Sequence, residues 1–240
     1  MDLTRQRFVI FGGSSGIGLG VARAAIAAGA SVVIVGRSRE KLAAAILALG
    51  NSPSVVTSAA NIASETDVKR VFAENSGVDH IVVTAVDAAY QAVRDFDVDA
   101  ARRVIDSKLL GALLVAKHGA PDLRSGGSFT FTSGVAADRP APGGSMIAAV
   151  NGALASFVRA LALELAPLRA NVVSPGWVDT PVWDTIVGAN KTAVQTQMAQ
   201  RLPVRRIGRV EDIAEAVLFL TQSPFTTGSV LHIDGGHRLV

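Results

Sequence analysis

One stretch of this 240-residue chain is built to meet a phosphate, and little of it is built to move a proton. GGSSGIG, residues 12–18, follows the apolar run RFVIF and opens the helical pattern GIGLGVARAAIAAG. Glycines at 12, 16 and 18 let a backbone turn sharply and approach a pyrophosphate, whose charge is favoured at a helix N-terminus. A merely tight strand-to-helix turn is the plainer reading of the same glycines. Groups able to transfer a proton are sparse. The only tyrosine is Tyr90, in TAVDAAYQ, and Asp87 lies on the same stretch. Either could serve as an acid, and a solvated loop accounts for both as well. The four histidines, His80, His118, His232 and His237, show no triad or metal spacing, and there is no cysteine. This composition excludes disulfides and thiolate catalysis, fits a reducing compartment and predicts no catalytic metal.

The elements that must position these residues alternate along the chain. β-Branched runs predict strands at 7–11, 31–36, 54–59, 80–85, 128–133, 171–175 and 230–234. Helical patterns lie between them: 16–29, 38–50 with a Ser N-cap, one from about 64, a long region ending near 118, one ending near 166, and 211–220. That order predicts an α/β chain with a doubly wound parallel β-sheet and helices on both faces, a single-domain Rossmann fold over residues 1–240. The least regular part, 177–205, holds Pro181, Gly188 and Pro203, and is expected to be a substrate lid. At 49% hydrophobic and 18% charged, the chain can bury a large core. Its net charge of +3 is scattered without a basic stripe, so no nucleic-acid partner is expected. The N-terminus lacks the apolar core of a signal peptide. No apolar run reaches the ~20 residues that span a bilayer. A soluble, cytoplasmic protein with no membrane partner is therefore expected.

Read together, these segments resemble the short-chain dehydrogenase/reductase family, nearly end to end. The glycine turn matches its Thr-Gly-x-x-x-Gly-x-Gly fingerprint, with Phe11 replacing the Thr. GSFTFTSG (127–134) matches the strand that carries the family's active-site Ser, here Ser133. SPGWVDTP (174–181) resembles the segment that touches the nicotinamide half of the cofactor, here Pro175, Gly176, Val178 and Thr180. RRIGRVEDIAEAVLFL and TGSVLHIDGG resemble its last helix and strand. The resemblance implies an NAD(P) site. Ser14, Ser15 and Ile17 would join Gly12, Gly16 and Gly18 at the phosphates, and Asn61 and Ile62 would lie at the adenine. Thr84 and Ala85 stand in Val83–Val86, where the family has Asn-Asn-Ala-Gly. At the end of the second strand, Gly36-Arg37-Ser38 lacks the acid that would accept from a ribose 2′-OH, and Arg37 offers a fork of donors suited to a 2′-phosphate. NADP(H) is therefore expected over NAD(H).

The pattern breaks at the reacting end. In the family a Tyr exchanges the substrate proton, a Lys one turn later lowers its pKa and holds the nicotinamide ribose, a Ser orients the carbonyl, and an Asn on an earlier helix holds a relay water. Aligning ALASFVRALALELAP (153–167) puts Ile147 at the Tyr position and Asn151 at the Lys position. A shift of one gives Met146 and Val150, so no register restores the pair. Ser145 is the nearest hydroxyl. RVIDSKLLGALLVAKH (103–118) puts Lys108 where the Asn belongs. The expectation is a reciprocal exchange, with Lys108, Asn151 and Ser133 as the catalytic set. The alternative is two independent losses, with Lys108 reaching out to solvent. The pocket would be lined by Ser133, Val135, Ile147, Trp177 and Trp183, which suits an apolar substrate. An NADP-dependent oxidoreductase acting on a carbonyl or alcohol is the first reading. A nucleotide-binding protein without turnover and a structural or oligomer partner of the same fold are the alternatives. The resemblance further implies a homodimer or homotetramer, paired through the helices at 103–118 and 144–166.

Overall fold

Seven runs rich in Val, Ile and Phe can satisfy their backbones only against one another, and they do so side by side. In a computed structural model that describes Asp2–Val240, they form one all-parallel sheet. The strands are β1 (Arg7–Phe11), β2 (Ser31–Gly36), β3 (Val55–Ala59), β4 (Val78–Val83), β5 (Leu123–Thr132), β6 (Arg169–Pro175) and β7 (Val230–Ile233). Their order is β3-β2-β1-β4-β5-β6-β7. The winding reverses between β1 and β4, the point at which open α/β sheets take ligands beyond their strand ends.

The helices are α1 (Gly16–Ala27), α2 (Arg39–Ala48), α3 (Glu65–Glu74), α4 (Val98–Ile105), α5 (Gly111–Gly119), α6 (Ser145–Glu164), α7 (Val182–Val187), α8 (Lys191–Arg201) and α9 (Val210–Gln222). They cover both faces. Phe8, Ile10, Ile34 and Val173 point toward Val21 and Ala25 of α1 and Ile213 and Val217 of α9. Val9, Phe11, Phe131 and Val172 point the other way, toward Val115 of α5 and Leu154 and Val158 of α6. Strand alternation thus feeds two apolar layers, and a doubly wound parallel sheet needs both.

Three expectations are corrected. The long helical region ending near 118 is divided: a π turn, Asp106–Leu110, joins α4 to α5. The stretch 177–205 is largely helical, carrying α7 and α8. Lys191 ties these down through Asp179 at 3.0 Å and Asp184 at 3.1 Å. Finally, α6 is 20 residues long and apolar enough to cross a bilayer by length and composition. One face of it packs on the sheet, where Leu154, Val158 and Leu161 are buried in the core.

Candidate active site

The crevice at the strand ends is shaped by missing side chains. Gly12 has φ +86°, and a Cβ there would sit 2.6 Å from Thr84 Oγ1 and 2.7 Å from the Ala85 nitrogen. A Cβ at Gly18 would lie 2.3 Å from the Gly12 carbonyl oxygen. The glycine turn therefore closes against the end of β4, and Thr84 fastens it by donating to the carbonyls of Phe11 and Gly12. Helices α2 and α3 are capped by the Ser38 and Ser64 hydroxyls, which accept from Lys41 N and Asp67 N. Ser15, at the N-cap of α1, makes no such bond. The first N–H groups of α1 are thus left for an outside acceptor, which fits a dinucleotide's pyrophosphate. The far wall is close: a Cβ at Gly16 would meet Thr180 at 3.5 Å and Pro181 at 3.8 Å.

At the adenosine end, Gly36 lets Ser14 approach, since a Cβ there would be 3.1 Å from Ser14 Oγ. Arg37 is 63% exposed and donates from Nη1 to Asp87 Oδ2 at 2.9 Å. The Asn61 side chain closes a local turn by accepting from Ala63 N, and the neighbouring Ile62 is buried. Toward the nicotinamide end, Gly176 lies so near Asp234 that a Cβ would come within 2.7 Å of its Cα. Val178 and Thr180 are buried there.

At the reacting end, Ser133 follows directly on β5 and donates from Oγ to the main-chain oxygen of Asn151 at 3.2 Å. The Asn151 amide reaches Gly134 O at 3.5 Å. Ile147 is 6% exposed in an apolar patch with Val104 and Val150, edged by Ala88, Ala136 and Met146. This wall of the pocket cannot supply a proton. Val104 and Lys108 are one turn apart, so the contact of Val104 with Ile147 brings the π turn against α6. Lys108 is 6% exposed and does not reach solvent. Burial alone, with no carboxylate to offset it, lowers the Lys108 pKa to about 8. The fold brings the helices of Lys108 and Asn151 together without bonding the two side chains to each other.

The other candidates fare differently. Tyr90 is 42% exposed and lies beside Gly144, ahead of α6. Burial of its phenol raises the pKa, which is the wrong direction for an acid near neutrality. Asp87 is engaged with Arg37. The Trp177 and Trp183 rings stack at 3.9 Å and 6°, and Trp183 Nε1 donates to Val178 O. Val135 begins a short 3-10 turn just beyond Ser133. His80 is held between Ser128 Oγ and Gln6 Oε1, each at 2.8 Å, near the opposite end of the sheet.

A family profile described as enoyl-(acyl carrier protein) reductase matches residues 12–238. A short-chain dehydrogenase/reductase, ucsE, from Acremonium sp is 34% identical over 98% of this chain and 96% of its own length. The chain belongs to the short-chain dehydrogenase/reductase family. Among solved structures, a small-chain dehydrogenase in complex with NADPH superposes with a TM-score of 0.82 at 32% identity, covering 98% of this chain and 99% of that one. The MalC reductase/Diels-Alderase of Malbranchea aurantiaca superposes with 0.90 at 32% identity, covering 99% and 98%. As a dehydrogenase/reductase, the protein is an oxidoreductase with a site for a nicotinamide dinucleotide, which its glycine cradle fits.

Two contributors were not legible in the sequence. Ser107 accepts from the Asp87 N–H at 2.9 Å and donates to Arg103 O at 2.7 Å, fastening the loop after β4 to the π turn. Lys191 braces α7 and α8. A serine between Asp106 and Lys108 gave no signal for the first. A lysine in a segment read as irregular gave none for the second.

Proposed function

We propose that this dehydrogenase/reductase is an NADP(H)-dependent enzyme that interconverts a carbonyl and an alcohol on a small apolar substrate, with Lys108 replacing the usual Tyr as proton donor. The observation that carries this reading is a buried ammonium on the π turn against α6 with no hydrogen-bond or ion-pair partner among the described residues, beside a wall where Ile147 supplies no proton. When bound, the cofactor supplies or accepts hydride at the substrate carbon. Ser133 Oγ turns from Asn151 O to donate to the substrate oxygen. Lys108 holds positive charge near that oxygen and releases a proton to it in the reducing direction. The apolar face of Ile147 and the α7–α8 lid exclude water. The NADP(H) preference is supported by Arg37 and by the NADPH complex of a related dehydrogenase.

A second reading, a nucleotide-binding protein without turnover, is favoured by Asn151, whose amide is engaged by Gly134 O. A single-turnover assay separates the two. Protein loaded with NADPH is mixed with reactive ketones, aldehydes and diketones, and loss of the reduced nicotinamide is followed. Oxidation that falls on the order of 10²–10⁴-fold in Lys108→Met supports the enzyme. NADPH that stays reduced across the whole panel supports the nucleotide-binding protein. The reading includes a cytoplasmic location, for which the cysteine-free sequence is the support. It also includes a homodimer or homotetramer. A row of exposed apolar side chains on α4, the π turn and α5, comprising Val98, Ile105, Leu110 and Leu113, supports that assembly.

A further inference from the structure

The guanidinium meant for a 2′-phosphate already has an anion. Arg37 stands at the end of β2 and Asp87 just beyond the end of β4, and β1 lies between these strands. Their ion pair, 2.9 Å long, therefore bridges the mouth of the crevice above the glycine turn. The two partners are not equally free. Asp87 is anchored through its own N–H to Ser107 Oγ, and Ser107 is 8% exposed and tied in turn to Arg103 O. Arg37 is 63% exposed, so when the pair parts it is the arginine that swings.

We propose that Asp87 is a specificity-determining residue: a built-in carboxylate that occupies Arg37 until a 2′-phosphate displaces it. This rests on the reading that Arg37 receives that phosphate. A dianionic phosphate draws the guanidinium off a single carboxylate, because it carries more charge and more acceptor oxygens. A ribose with a free 2′-OH has no such hold, and leaves the pair closed. Asp87 thus lowers the affinity for every 2′-phosphorylated nucleotide by the strength of the pair it forfeits. It also prevents an idle Arg37 from gripping other anions. Because the pair is solvent-exposed, its weight is modest, a factor of about 1.5 to five in affinity.

The test is calorimetric binding of adenosine 2′,5′-bisphosphate and of AMP to the intact chain, Arg37→Met, Asp87→Asn and Asp87→Glu. The expected result is that Asp87→Asn binds the bisphosphate about 1.5- to fivefold tighter than the parent, with AMP unchanged. Asp87→Glu, which keeps the competing charge, should return the parent's ratio. Arg37→Met should lose the preference for the bisphosphate. If the parent prefers the bisphosphate through Arg37 but Asp87→Asn binds it equally or more weakly, the role of Asp87 is overturned and the NADP(H) reading stands. If the parent binds both probes alike and Arg37→Met changes nothing, the NADP(H) reading itself has failed. A loss of both ligands in Asp87→Asn together with a lowered unfolding temperature would assign Asp87 to holding the loop, and would also overturn the proposal.

Discussion

At the scale of single residues, Lys108 pulls stability and chemistry in opposite directions. An ordinary lysine titrates at 10.5 and this one at about 8, so the fold disfavours its charged form. The penalty, about 3 kcal/mol by the pKa difference, is full below pH 8 and is relieved as pH rises from 8 toward 10.5. Lys108→Met is therefore expected to raise the unfolding free energy at pH 7 by about 1–3 kcal/mol, read by urea titration, while turnover falls. If Lys108 gives the proton, the reductive rate of the parent should be level below pH 8 and fall above it, and that inflection should vanish in the variant. Gly12 is the opposite case, since any side chain there meets Thr84 and Ala85 and must also adopt a positive φ. Gly12→Ala is expected to abolish nucleotide binding, measured by NADPH fluorescence. These glycines and Arg37 were legible because each residue type has few reasons to stand at such a place. The partner of Arg37 was not, because a contact fifty residues away along the chain leaves no local pattern.

Among the elements, strands and helices with a regular period were readable to within a few residues, and β1 and β2 match their expected bounds. The π turn was not, because it widens the helix for one turn without disturbing the apolar spacing on either side. Lys108 lies on that turn, and the sequence offered two readings of it, an exchange with Asn151 and a side chain reaching out to solvent. Pro181, Gly188 and Pro203 give the α7–α8 segment an irregular pattern, but they mark its joints rather than its interior. Helix α9 has a more visible start. Asp212 accepts from Arg209 N at 2.7 Å and takes both Arg206 Nη atoms, at 2.6 and 2.7 Å. The Arg206 guanidinium holds the Asp212 carboxyl at about 2. Asp212→Ala is expected to cost about 1–2 kcal/mol, the usual worth of such an N-terminal acceptor. It should also raise hydrogen exchange in α9 and in α1, which packs on it.

For the whole molecule, the acid limit is set far from the chemistry. His80 is buried among strand ends, and desolvation lowers its pKa to about 4, while the unfolded chain takes up the proton near 6.5. Stability is then full above pH 6.5 and is lost as pH falls toward 4, by about 3 kcal/mol. His237, lowered for the same cause, adds in the same direction. Urea unfolding at stepped pH should show this slope setting in near pH 6.5. Assembly is tested at this scale too: sedimentation should find a dimer or tetramer, and Leu113→Glu in the exposed apolar row should shift it toward monomer. The stacked indoles at the lid have a use of their own. Both tryptophans of the chain are in that pair. Its tryptophan emission therefore comes from one spot, where the two rings lie face to face and are expected to quench each other. The protein carries an internal optical gauge, so that parting of the rings would brighten the emission and shift it in a stopped-flow trace, with no dye attached.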